Sequence, residues 1–166
     1  MKLRKPHRVI DGDETTGSMS PSLWSAYEAT AFCATVDGIG IYIRAGDMHP
    51  SLDRALEVRS VKTWAYITAW NPGSREFSRL ENDMRHECLK NDLTRLGFQV
   101  FEGEGQPADS SWSPEQSLLV FGLSAQEAIA IGRRYGQNAI VVGESGCKAT
   151  LLRCDGVDLN TNEPRE

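Results

Sequence analysis

The sequence predicts a single α+β domain: a mixed, mainly antiparallel sheet with helices packed on one face of it, built on a ferredoxin-like split β-α-β core with an extra N-terminal hairpin. Three observations carry this. β-prone runs and helical periodicities follow one another in the order β-β-α-β-α-β-β-α-β-β. Asp37-Gly38 divides the first two β-prone runs, as a tight hairpin requires. Ser78 and Ser124 each stand three residues before a glutamate at the head of a helical stretch, the sequence form of a capping box.

Residues 1–21 are polar and aperiodic and are expected to form a flexible arm; residues 155–166 are expected to form a tail, which leaves 22–154 as the domain. Leu23 to Tyr27 suits a short helical turn. Ala29–Val36 and Ile39–Arg44 are the hairpin strands. His49-Pro-Ser-Leu-Asp-Arg-Ala-Leu spaces Leu52, Ala55 and Leu56 for a helix, with Pro50 in its first turn. Thr63–Trp70 is apolar enough for a central strand. From Ser78 to Leu96 a long helix is expected, with Leu80, Met84, Cys88, Leu89, Leu93 and Leu96 on one side and Gly97 as its stop. Phe98–Phe101 is a short strand, Glu102–Pro114 a loop, and Gln116–Leu123 a strand. A helix opened by Ser124 and closed by Gly136 follows. Gln137–Gly143 and Cys147–Cys154 are the last two strands, joined around Glu144-Ser-Gly146.

A net charge of −5 argues against a general electrostatic grip on duplex DNA or an anionic membrane. No apolar run approaches a membrane span, and the basic start is followed by Asp11-Gly-Asp-Glu rather than a secretory apolar stretch. The four cysteines, 33, 88, 147 and 154, show no paired spacing, which fits reduced thiols and a cytoplasmic setting. Asp47 and His49 have no third ligand at a telling spacing, so neither a metal nor another cofactor is expected. His86-Glu87 lacks the second histidine of a zinc-protease helix, and Gly143-Glu-Ser-Gly-Cys147 lacks the last glycine of a nucleophile elbow.

Chemistry concentrates at a few junctions. In Trp70-Asn-Pro-Gly-Ser74, Pro72 drives Asn71 out of helical geometry and Gly73 permits close approach of a ligand. Arg75 and the N-terminus of the following helix would then hold an anion. The other reading of this segment is a rigid strand-to-helix connection. Asn82 and His86 stand four apart on the polar side of the long helix, able to face one ligand or only solvent. Trp112 and Glu115 flank a loop, where Trp112 would wall a pocket or plug the core. Glu115, if buried, would be a general base, with His86 as the second proton carrier. Gln137 and Asn138 open a strand with two amides, suited to a base edge or to helix-end carbonyls.

Tyr27, "ITAWNPGS" at 67–74, Glu81-Asn82, "WSPEQSLLVFGLS" at 112–124 and "YGQNAIVVGESG" at 135–146 recur in an order that resembles the bacterial family called domain of unknown function 3293, over about residues 22–153. The resemblance implies no activity. It implies that Trp70, Asn71, Pro72, Ser74, Asn82, Trp112, Glu115, Gln137 and Asn138 lie in the family's characteristic segments.

Two functions are compatible with all this. The first is binding of a small polar ligand, such as a nucleotide or a short nucleic-acid segment, with Trp70 or Trp112 stacking on it. The second is a protein interaction module or homodimer that uses the alternation of Phe32, Ile41, Tyr42 and Ile43. Convergence of Asn71, Asn82, Glu115 and Gln137 on one concavity would favour the first.

Overall fold

The computed structural model describes residues 19–154; of the arm expected over 1–21, residues 1–18 lie outside the described residues, as does the tail over 155–166, while Ser20 and Pro21 cap and open a helix. Its elements are α1 (Pro21–Glu28), β1 (Ala31–Val36), β2 (Ile39–Ile43), α2 (Pro50–Val58), β3 (Thr63–Ile67), α3 (Arg79–Arg95), β4 (Gln99–Gln106), β5 (Glu115–Phe121), α4 (Ala125–Arg134), β6 (Ala139–Glu144) and β7 (Thr150–Arg153). Asp37 and Gly38 take φ of 51° and 78° between the paired Val36 and Ile39, so the two-residue turn matches the twist of its strands.

The strands form one curled seven-stranded sheet, in the order β2-β1-β4-β5-β3-β6-β7. Every neighbouring pair among the described strands is antiparallel, so the sheet is not mixed. The reason lies in the connections. α3 joins β3 to β4 with β5 seated between them, and α4 joins β5 to β6 with β3 between them.

The helices do not share one face. Leu89 and Leu93 of α3 and Ala128 of α4 pack on Ile67, Leu118 and Val120. Leu52 and Leu56 of α2 cover the opposite face, against Trp64, Tyr66, Leu119 and Phe121. Strand alternation sends odd and even residues of β3 and β5 into two separate cores, and each core needs a cover. The hairpin alternation goes into the α2 core as well: Ile41 and Ile43 are buried there. Phe32 leans on Tyr66 with ring centroids 5.2 Å apart, which leaves Tyr42 exposed rather than a continuous apolar face.

Both capping boxes are present, Ser78 with Glu81 and Ser124 with Glu127. The faces of α3 differ from the expectation. Leu80 and Met84 are 70% and 62% exposed, and Cys88 and Leu96 are exposed too, whereas Asn82 and His86 are each only 2% exposed. The buried row is Asn82, His86, Leu89, Leu93, at steps of four, three and four. Two polar residues occupy core positions because partners wait for them there: the backbone of Asn71 for Asn82, and the Glu102 carboxylate for His86.

β4 is also longer than expected, running through Glu102-Gly-Glu-Gly-Gln106 instead of ending at Phe101. The glycines are what allow it. A Cβ on Gly103 would run into the Cys33 carbonyl oxygen and come within 2.7 Å of the Tyr66 hydroxyl. That hydroxyl crosses the strand to donate to the Cys33 carbonyl at 2.7 Å. β3 ends at Ile67, three residues earlier than expected, and the chain then turns into the Trp70–Ser74 junction.

Candidate functional site

The junction is a short 3-10 turn over Pro72–Ser74, entered through Asn71 in the left-handed region at φ 46° and ψ 59°. A hydrogen-bond lattice fixes it. The Asn71 N–H donates to Asn82 Oδ1 at 2.9 Å, and Asn82 Nδ2 returns a bond to Asn71 Oδ1 at 2.9 Å. Asn71 Oδ1 also accepts the Phe77 N–H at 3.0 Å. Because a backbone N–H donates to each side-chain oxygen, both amide orientations are determined. Asn71 Nδ2 must therefore face Glu115, and it donates to Oε1 at 2.8 Å.

A second set of bonds ties the junction to the turn between α4 and β6. Gly73 N–H donates to the Gly136 carbonyl at 2.8 Å, and Gln137 Nε2 to the Trp70 carbonyl at 3.1 Å. Arg85 bridges the carbonyls of Ala69 and Tyr135. Asn138 Nδ2 donates to Ser74 Oγ at 2.9 Å, and Ser74 Oγ lies 3.0 Å from the Tyr27 hydroxyl of α1.

These groups border a cavity of about 250 Å³. α1 supplies one wall with Leu23, Ala26 and Tyr27, and the loop between β4 and β5 supplies another with Pro107, Asp109 and Trp112. The floor is the α2 side of the sheet beyond the reach of α2, where Phe32, Tyr66 and Val141 stand among the small residues Gly105, Ser117 and Ala139. Small side chains on a curled sheet leave that end unfilled.

Glu115 is the one carboxyl held at the junction end of this cavity. Burial raises its pKa above the ordinary carboxylate value, and the Asn71 hydrogen bond opposes the rise. Oε1 receives Asn71, while Oε2 carries no protein hydrogen bond among the described residues. Tyr27 is likewise shifted upward, first by burial, with the Ser74 hydrogen bond working against it and the Glu115 carboxylate adding to it. No lysine, arginine or histidine lines the cavity among the described residues.

The residues singled out from sequence therefore divide. Trp70, Asn71, Ser74, Trp112, Glu115 and Gln137 line the cavity, and Asn138 joins it through Ser74. Asn82 stands behind Asn71 and positions it. His86 is not beside Glu115. It lies on the buried side of α3, its Nε2 2.8 Å from Glu102 Oε2, with Lys90 Nζ 2.7 Å from the other Glu102 oxygen. Burial raises the Glu102 pKa, and the hydrogen bonds from Lys90 and His86 outweigh that and hold it below its ordinary value. Arg75 does not line the cavity, and the α3 N-terminus is filled by its own Glu81 carboxylate, so the expected anion cradle is not formed. His49 Nε2 accepts the Arg44 N–H at 3.0 Å, and no group of three His, Cys, Asp or Glu able to hold a metal occurs among the described residues.

Sequence reasoning missed Tyr66, Phe32, Ser117 and the α1 wall. Their signal was present in part, since Tyr27 stood in the family segments and Gly103 and Gly105 marked a close approach on β4.

No helix of the described residues is long and apolar enough to cross a membrane. No curated protein and no solved structure matches the chain. Residues 67–140, the stretch from the end of β3 through the Trp70–Ser74 junction, α3, β4, β5 and α4 into β6, match the model of the family described as "Protein of unknown function (DUF3293)".

Proposed function

We propose that this protein binds a small, ring-bearing molecule of nucleoside size or less in the cavity between α1 and the sheet. The observation that carries this reading is the Glu115 carboxyl, aimed by Asn71 and with Oε2 unbonded, in a cavity walled by Tyr27, Tyr66, Trp70 and Trp112. Pockets of this composition, mainly apolar and aromatic with a few placed polar groups, are the usual small-molecule sites. A cavity of about 150 Å³ already takes benzene, so about 250 Å³ accommodates a ring with a short substituent. Of the ligands compatible with the sequence, a nucleobase or nucleoside fits this chemistry better than a nucleotide, because among the described residues the lining offers a phosphate no cation. Glu115 is the group placed to accept or return a proton. His86 is not, since the sheet separates it from the cavity.

The finer fold reading, a ferredoxin-like split core extended by the β1–β2 hairpin and β7, is supported by the seating of β5 between β3 and β4 and of β3 between β5 and β6.

One observation favours a second reading, an interaction module: the exposed Leu80, Met84 and Cys88 at steps of four along α3. Equilibrium binding of nucleosides against their 5′-phosphates separates the two. Binding of a nucleoside with weaker binding of its phosphate supports the cavity. Stronger binding of the phosphate removes it, and self-association lost on Met84→Glu would favour the module.

A further inference from the structure

We propose that the cavity selects a monocationic organic nitrogen, a protonated amine carried on an aromatic ring or a short alkyl chain, with the ammonium seated at Glu115. This rests on the ligand-binding reading above and names the charge of the ligand. Three features point the same way.

The first is the sign of the fixed charges. Glu115 and Asp109 are the ionisable acids on the lining, and no basic side chain among the described residues lines the cavity to neutralise them. The second is the aromatic wall. Tyr27, Phe32, Tyr66 and Trp112 line the space, as does Trp70, whose ring already has the Arg79 guanidinium 5.6 Å from its centroid, and the negative faces of such rings attract a cation, the physics of ammonium-binding aromatic cages. The third is the bonding of Glu115 itself. Among the described residues Asn71 Nδ2 is its single donor, and it bonds Oε1 alone. Oε2 is left to accept from something the described residues do not provide. A carboxylate desolvated by burial gains most from a partner of opposite charge, and an N⁺–H donor is a stronger partner than a neutral one.

The other titratable side chains on the lining do not compete for this role. Tyr27 and Tyr66 are both shifted upward by burial and stay neutral near pH 7. Asp109 is exposed in the loop, where water screens its charge and the Ser111 backbone N–H already bonds its carboxylate, so it adds to the negative field without the desolvated contact that Glu115 offers.

The test is calorimetric titration of the full chain at pH 7 with three probes of one shape: 2-phenylethylammonium, 2-phenylethanol and phenylacetate. The expected result is that the ammonium binds at least tenfold tighter than the alcohol, and that phenylacetate binds most weakly. Glu115→Gln keeps the side-chain shape and can still accept from Asn71, so it is expected to abolish the advantage of the ammonium over the alcohol. A measurement on the unaltered protein guards against a folding defect in that variant. Ammonium affinity is expected to fall as pH is lowered through the Glu115 pKa, and alcohol affinity is not. Equal binding of ammonium and alcohol, or a preference that survives in Glu115→Gln, overturns the charge selectivity and leaves the cavity as a binding site. Failure of all three probes to bind overturns the cation proposal, and the cavity as a binding site falls with it only if nucleosides fail to bind as well.

Discussion

Asn71 holds a left-handed backbone, a conformation that costs most residues about 1–2 kcal/mol and that asparagine tolerates better. Its side chain and its N–H are both bonded to Asn82, and the third direction goes to Glu115. Asn71→Ala is therefore expected to be less stable than Asn71→Gly by about 1–2 kcal/mol in urea unfolding, since both lose the side-chain bonds and only alanine keeps the backbone strain. Asn82→Ala leaves the buried Asn71 groups unpaired and is expected to cost about 1–3 kcal/mol. Glu115 gives a pH signature of definite sign. Its folded pKa lies above the unfolded value, so the folded state holds more protons between the two. The contribution is fully present below the unfolded pKa and is lost as pH rises through the folded one. Glu115→Gln is expected to remove that decline, which unfolding midpoints measured from about pH 4 upward in small steps will show. Of the four residues whose convergence the sequence left open, the structure brings Asn71, Glu115 and Gln137 to one cavity and sets Asn82 behind Asn71. Asn82 and His86, read on the polar side of the helix, are buried, because a polar residue on a helix reads as solvated until its buried partner, from a distant segment, is in place.

The elements α3 and β4 show why. Helical spacing alone offered α3 two stripes, Leu80-Met84-Cys88 and Asn82-His86-Leu89-Leu93, and hydrophobicity favoured the wrong one over its first half. What decided was the sheet beneath, which presents Glu102 and the Asn71 turn. The helix ends were legible because capping is local: Ser78→Ala is expected to cost about 1 kcal/mol by losing the bond to the Glu81 N–H. β4 was cut short because Gly-rich sequence resembles a loop, although here the missing side chains admit the Tyr66 hydroxyl. The two glycines are expected to behave differently. Gly103→Ala meets the Cys33 carbonyl and the Tyr66 hydroxyl and must displace backbone, whereas a Cβ on Gly105 meets Ser117 Oγ at 3.8 Å and Phe32 at 3.9 Å, ordinary contacts. A drop in melting temperature confined to Gly103→Ala is the expected outcome; an equal drop at both positions would mean that β4 is placed by something other than this approach.

Across the whole molecule, the cavity is made by parts of different origin. The stretch that matches the family model, residues 67–140, contributes the junction, Glu115 and the β4–β5 loop, while α1 and β1, before it, supply Leu23, Ala26, Tyr27 and Phe32. Element types were legible along the chain because hairpin turns and helix caps are written in two to four neighbouring residues. The all-antiparallel order and the two-sided helix cover were not, since both depend on which distant strands pair. α1 has no buried residue and closes the cavity through few contacts, the Tyr27–Ser74 bond among them. That makes the cavity fillable from outside the core. Ala26 lies on α1 and lines the space, so Ala26→Trp would occupy it without disturbing either core. The measurement that bears most directly on the cavity as a binding site is the thermal shift given by 2-phenylethylammonium in the unaltered protein and in Ala26→Trp. Ligand at about a hundredfold its dissociation constant adds roughly 2.7 kcal/mol of stability, a readily measured rise in melting temperature. The rise is expected in the unaltered protein and its loss in Ala26→Trp, with the two ligand-free proteins melting alike. The same rise in both would mean that the ligand sits elsewhere and that this cavity is not its site.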